Sequence, residues 1–217
     1  MFISSDNIRK TLEFVKKEFT DSVYFKDHIE EKEYRYNHTI RVASIGQMVA
    51  RKEALDEEAL VIGCLLHDIS YTRVFEGEKG WLNHGRDSAK IARPFLKSLG
   101  LNDEIIAEIC FGIAIHVDDV SDFDGERTPL AVSIGDCDNI DRFDAYRLYE
   151  NLRNSQMAQM TLTLQIEYVN KVLMKLNQLK SLPFGTNAGI ELWHQKLDFQ
   201  IHFYETLLNQ LNLSIIN

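Results

Sequence analysis

The chain of 217 residues has only three prolines, three cysteines and two tryptophans. With breaks only at Pro94, Pro129 and Pro183, long stretches are left to run as helices, and a turn-rich all-β fold is excluded. Cys64, Cys110 and Cys137 are odd in number and lack CxxC spacing. That excludes a disulfide framework and a zinc ribbon, so they read as reduced core thiols. The longest apolar runs, such as 60–66, fall far short of the about 18 residues of a membrane span. Basic charge is also scarce: 24 Lys and Arg against 33 Asp and Glu give −9. No block of Lys or Arg offers the footprint a nucleic-acid polymer needs. The first residues turn polar within five positions, without a leader pattern, and the expectation is a cytoplasmic protein with no membrane partner.

What is present is an ordinary globular composition, 45% hydrophobic and 26% charged. A chain this long buries roughly 70% of its unfolded surface, enough for a core without a structural metal, so any metal here is expected to be functional. Ile8, Leu12, Val15 and Phe19 follow a helical stripe and predict a first helix over 5–20. Further helices are predicted at 33–52 and 56–70, the latter with an acidic first turn. A loop follows at 76–83, then a helix at 87–99 closed by Gly100. Asn102 caps a helix to 116, 117–126 form an acidic loop read as a solvated, mobile rim, and Pro129 opens a helix to 154. Another runs to 179. Beyond the break at Pro183, Gly185 and Gly189, the last spans 190–211. The expectation is an all-α single domain, with Trp193, Phe199, Phe203 and Tyr204 serving as core or as the face of a homodimer.

The chemistry concentrates in His38, the pair His67 and Asp68, and the aspartates Asp136, Asp138 and Asp141. If 33–52 and 56–70 form an antiparallel hairpin about residue 54, His38 and His67 lie roughly 24 and 20 Å from the turn at about 1.5 Å per residue. Both side chains then sit at the same open end. Leu65, Leu66 and Ile69 make the surroundings apolar, where an uncompensated carboxylate is costly, so a cation is expected beside it. Imidazole with carboxylate suits Mn, Fe, Co, Ni or Zn better than Ca. Arg35 stands one turn before His38 on the same face. Arg86 and Lys90 follow His84 at a helix start, where an anion is favoured, and Arg41 and Arg142 are weaker candidates for an anion contact. His28, His194 and His202 fit no pattern.

The segments RYNHTIRVA, IGCLLHDIS and IGDCDNIDRFD, over about 30–148, resemble the HD-domain metal-dependent phosphohydrolases, whose motif is a His, an adjacent His-Asp and a distal Asp. The resemblance implies an HD-type helical bundle over 1–217, its motif-bearing core at 30–148 and a helical extension at 150–217. It also implies His38, His67, Asp68 and Asp138 as ligands of a divalent ion (Mn, Fe, Co, Ni, Zn or Mg), with Asp136 and Asp141 as alternates in another register. His84 and His116 match positions used by members with two ions. Here they either hold a second ion or protonate the leaving oxygen, while Asp68 orients or bridges the attacking water and Arg35 meets substrate phosphate. The expected function is hydrolysis of a small phosphorylated molecule, a nucleotide or related phosphoester. A di-iron oxygenase of the inositol-oxygenase kind, sharing the six-donor pattern, and a non-catalytic nucleotide-binding protein are the alternatives.

Overall fold

The structure is a computed structural model and describes residues 5–75 and 77–215; Glu76, at the start of the expected loop, lies outside them. Its helices are α1 (Asp6–Asp21), α2 (Ile29–Glu53), α3 (Glu57–Leu66), α4 (Gly77–Leu82), α5 (His84–Ser98), α6 (Asp103–Ile115), α7 (Pro129–Arg142), α8 (Ala145–Asn154), α9 (Leu162–Leu179) and α10 (Asn187–Asn212). No strand occurs among the described residues, so the fold is all-α. Nor is any described helix long and apolar enough to cross a membrane. Several starts follow from capping side chains: Ser5, Asp56, Asn102 and Thr161 each accept the amide three residues on, satisfying a donor that the first turn leaves orphaned.

Besides earlier starts of α2 at Ile29 and of α10 at Asn187, three departures from the periodicity have local reasons. The helix expected to 70 stops at Leu66, and the chain turns through Asp68 into a 3-10 turn at Ile69–Thr72. The helix expected to 154 breaks after Arg142, because the Asp144 carboxylate accepts the Ala145 amide and starts α8 afresh. The stretch expected as a loop contains α4, and α5 begins three residues early, at His84.

The chain divides into two compact units. The first comprises 1–138 with 184–189 and is built on the α2–α3 hairpin, closed by Ala54 in the left-handed conformation (φ 53). Residues 59–66 of α3 are buried on every side. Close approach depends on glycines: a methyl at Gly63 would lie 2.5 Å from Ile134 Cδ1, and one at Gly112 would lie 2.6 Å from the Ala131 carbonyl. The second unit comprises 139–183 with 190–217. Its core holds Leu148, Val169, Leu176, Trp193, Leu197 and Tyr204. Two of its buried polar groups find backbone partners, Trp193 Nε1 donating to the Leu179 carbonyl at 2.9 Å and Gln200 Nε2 to that of Phe143 at 2.6 Å.

Candidate metal centre

Three of the six predicted donors stand at helix ends, and that position explains how they are held. His67 follows α3, His116 follows α6, and His84 opens α5 directly after α4. The last turn of a helix has carbonyls without intrahelical partners. Each imidazole takes one through Nδ1: His67 bonds Cys64 O at 2.8 Å, His84 bonds Trp81 O at 2.6 Å and His116 bonds Ile113 O at 2.7 Å. With Nδ1 carrying the proton, each ring turns a bare Nε2 the other way, the arrangement that metal-binding histidines use to fix tautomer and orientation. One backbone rule thus satisfies three carbonyls and aims three lone pairs.

Those lone pairs meet around Asp68. His84 Nε2 and His116 Nε2 lie 3.4 and 3.5 Å from its Oδ1. His67 Nε2 and His38 Nε2 lie 3.6 and 3.8 Å from Oδ2. Asp138 Oδ1 is 3.1 Å from His38 Nε2 and 3.9 Å from His67 Nε2. The structure therefore brings together all six predicted donors, and the side chains are almost wholly out of water. Arg35 joins them: its Nη1 is 3.3 Å from Asp68 Oδ2, and its guanidinium carbon stands 3.5 Å from the centre of the Tyr71 ring.

The electrostatics describe a strained donor set. Burial pushes the His67 imidazole down to about 4, although the neighbouring carboxylates pull the other way. Burial alone would raise the Asp68 carboxyl. The surrounding imidazoles and Arg35 overcome it and hold Asp68 well below the usual carboxylate range. His116 is desolvated too, but the adjacent Asp68 draws it upward. Three of the converging atoms, His67 Nε2, Asp68 Oδ1 and His116 Nε2, are buried without a hydrogen-bond partner. Such atoms are expensive unless something binds them. Nitrogen and carboxylate oxygen in threes, with no thiolate, fit a divalent transition ion, and three overlapping triads can hold one: His38, His67 and Asp68; His67, His116 and Asp138; Asp68, His84 and His116.

The remaining predicted residues are placed elsewhere. Arg86 uses all three guanidinium nitrogens on Asn83, Leu82 O, Val120 O and both oxygens of Asp118. It braces the acidic loop, and Lys90 pairs with Asp87 and Asp122. With Arg127 holding Asp119 as well, three of that loop's four aspartates are tied by cations. Asp136 accepts the Gly185 amide at 2.7 Å, and burial pushes its carboxyl up to about 7. Asp141 is buried, Arg41 is partly buried and Arg142 is exposed. His28 stacks on Tyr24, while His194 and His202 are exposed on α10. Residue patterns did not point to Gly85, Tyr71 or Trp81. A Cβ on Gly85 would meet Ala114 O at 2.8 Å and Ile113 O at 2.9 Å, so only glycine lets α5 start against the end of α6. The one signal for it in sequence is a glycine directly after a candidate ligand.

Comparison with known proteins identifies a family and a fold. The HD domain family matches residues 35–145, about half of the chain. No curated protein sequence matches. Among solved structures, a predicted HD superfamily hydrolase from an uncultured Thermotogales bacterium superposes with a TM-score of 0.61 at 19% identity, covering 93% of this chain and 91% of that one. At that identity the likeness is one of fold. The HD domain of the L. monocytogenes phosphodiesterase PgpH, in complex with cyclic-di-AMP, matches with a TM-score of 0.37 at 16% identity over 77% of this chain and 91% of that one.

Proposed function

The chain belongs to the HD domain family, and on that premise we propose that it is a metal-dependent phosphohydrolase of a small phosphorylated molecule, a nucleotide or related phosphoester. One observation carries the reading: the two oxygens of Asp68 face different pairs of histidine Nε2 atoms, with Arg35 beside them. His38, His67, Asp68 and Asp138 would hold one divalent ion, and Asp68, His84 and His116 a second. Ions bound there supply water acidified to near neutrality and a Lewis-acid contact to the phosphoryl oxygen.

The chain's own groups do the rest. With Nη1 on Asp68 the Arg35 side chain is still 22% exposed, so its solvent-facing part can offer a donor to a phosphoryl oxygen. Tyr71 backs the guanidinium from below and keeps it from swinging into solvent. Asp68, anionic through the working pH range, orients the attacking water by accepting its proton-bearing side. Where a single ion is bound, His84 or His116 in the imidazolium form, protonated at Nε2 as well as at Nδ1, would give that Nε2 proton to the leaving oxygen.

The test is metal analysis of the purified protein together with phosphate release from a panel of nucleotides and sugar phosphates in Mn, Co, Ni, Zn and Mg. The expected result is one or two ions per chain and metal-dependent release. Two irons with oxygen consumption and no phosphate release would turn the reading to an oxygenase. Nucleotide binding without turnover in any metal would turn it to a non-catalytic receptor.

A further inference from the structure

Trp81 is a large aromatic side chain left 45% exposed at the edge of the donor cluster, whereas Trp193 is fully buried. It does not dangle there. Its carbonyl accepts His84 Nδ1, its ring centre is 5.8 Å from that of His84, and its indole lies beside the Tyr71 hydroxyl. Tyr71 in turn carries Arg35, which reaches Asp68. Phe75 closes the corner, 4.9 Å from Tyr71 and 6.3 Å from His84, and a methyl added at Gly80 would come within 3.4 Å of its backbone. One aromatic frame therefore fixes a phosphate-binding cation and a flat indole at a set spacing. A rigidly held, water-exposed aromatic ring beside an anion anchor matches a ligand with an anionic end and a planar end.

We propose that Trp81 is a specificity-determining residue that stacks on the nucleobase of the phosphorylated substrate. The proposal rests on the phosphohydrolase reading and narrows it to base-bearing substrates. The test uses the full chain loaded with Mg and the 5′-monophosphates of adenosine, guanosine and cytidine beside ribose 5-phosphate. Both tryptophans emit when excited at 295 nm, but only Trp81 is exposed to a ligand, so saturable quenching reports on Trp81 above a constant Trp193 background. At least one nucleotide should quench it saturably, while ribose 5-phosphate does not. In Trp81→Leu the preference, kcat/KM for the best nucleotide over ribose 5-phosphate, should fall at least about tenfold, and Trp81→Phe should keep it within about threefold. If Trp81 acted only by supporting His84, both substrates would suffer alike and the preference would stay put, overturning the proposal. Equal binding of nucleotide and ribose 5-phosphate by the unaltered protein overturns it too. Hydrolysis without base preference sinks this inference and leaves the phosphohydrolase reading standing. Quenching without turnover in any metal does the reverse.

Discussion

The two units solve the burial of polar groups in opposite ways. In the second, Trp193 and Gln200 satisfy themselves on backbone carbonyls, and the charged groups form exposed or half-exposed pairs such as Lys180 with Asp198 and Lys196 with Asp144. In the first, four imidazoles and two carboxylates converge away from water, and some of their atoms find no partner within the protein. A buried polar cluster left unsatisfied works against folding. The first unit carries buried polar atoms without a partner, as a site that takes an ion would, whereas no such atom is found among the described residues of the second.

The sharpest way to break that contrast is Asp68→Asn. It keeps the shape of the side chain and removes the charge that both histidine pairs face, so turnover should drop by about 10³-fold or more. Far-UV circular dichroism of the ion-free protein should be unchanged. Residual turnover within tenfold of the unaltered chain would mean that the cluster is not the reaction centre. Next in size is removal of the ion. A divalent cation at a hundred times its dissociation constant should stabilise the protein by about 2.7 kcal/mol. Hydrogen exchange should show the gain concentrated in α3, α5 and α6, with little in α9. Protection spread evenly over α9 would dissolve the contrast. Because Asp68 draws the His116 proton constant upward, binding must expel that proton, so affinity should climb as pH rises past 6.5. Proton release measured in buffers of different ionisation enthalpy checks the sign.

How far the sequence made this visible differs between elements. The meeting of His38 with His67 is legible because helix rise and a short turn fix it, and their rings stand 5.3 Å apart. Which of the three nearby aspartates faces the histidines is not legible from spacing, since Asp136 and Asp138 differ only in which neighbour meets them, Gly185 for one and His38 for the other. Arg86 shows the same limit. Its place after a ligand histidine reads as an anion contact, but Asp118, thirty-two positions away, claims it through a loop that carries no periodicity. The end of α3 at Leu66 escaped because apolar residues continue through Ile69, and the hydrophobic pattern cannot see a turn made to present His67 and Asp68.

A smaller effect tests whether the backbone, more than the ligands, builds the first unit's centre. Gly85→Ala places a methyl 2.9 Å from Ile113 O, the acceptor for His116 Nδ1, and 3.1 Å from Nδ1 itself. The end of α6 must shift and carry His116 with it. Metal affinity should fall about 10- to 100-fold, as for loss of a group that orients a ligand, and stability by about 1–3 kcal/mol. Calorimetric titration of the variant showing unaltered affinity would mean that the α5–α6 contact does not position the histidine.

The smallest change belongs to the second unit. Thr161 caps α9 by accepting the Leu164 amide, and it is exposed. Thr161→Ala leaves that donor to water and should cost about 1 kcal/mol in chemical denaturation. Turnover and metal affinity should match the unaltered chain, because no donor of the cluster is supplied by α9. A cap loss that also weakened metal binding would show that the ion-binding unit depends on its neighbour's stability, and the contrast drawn between a unit completed by an ion and one complete without it would have to be abandoned.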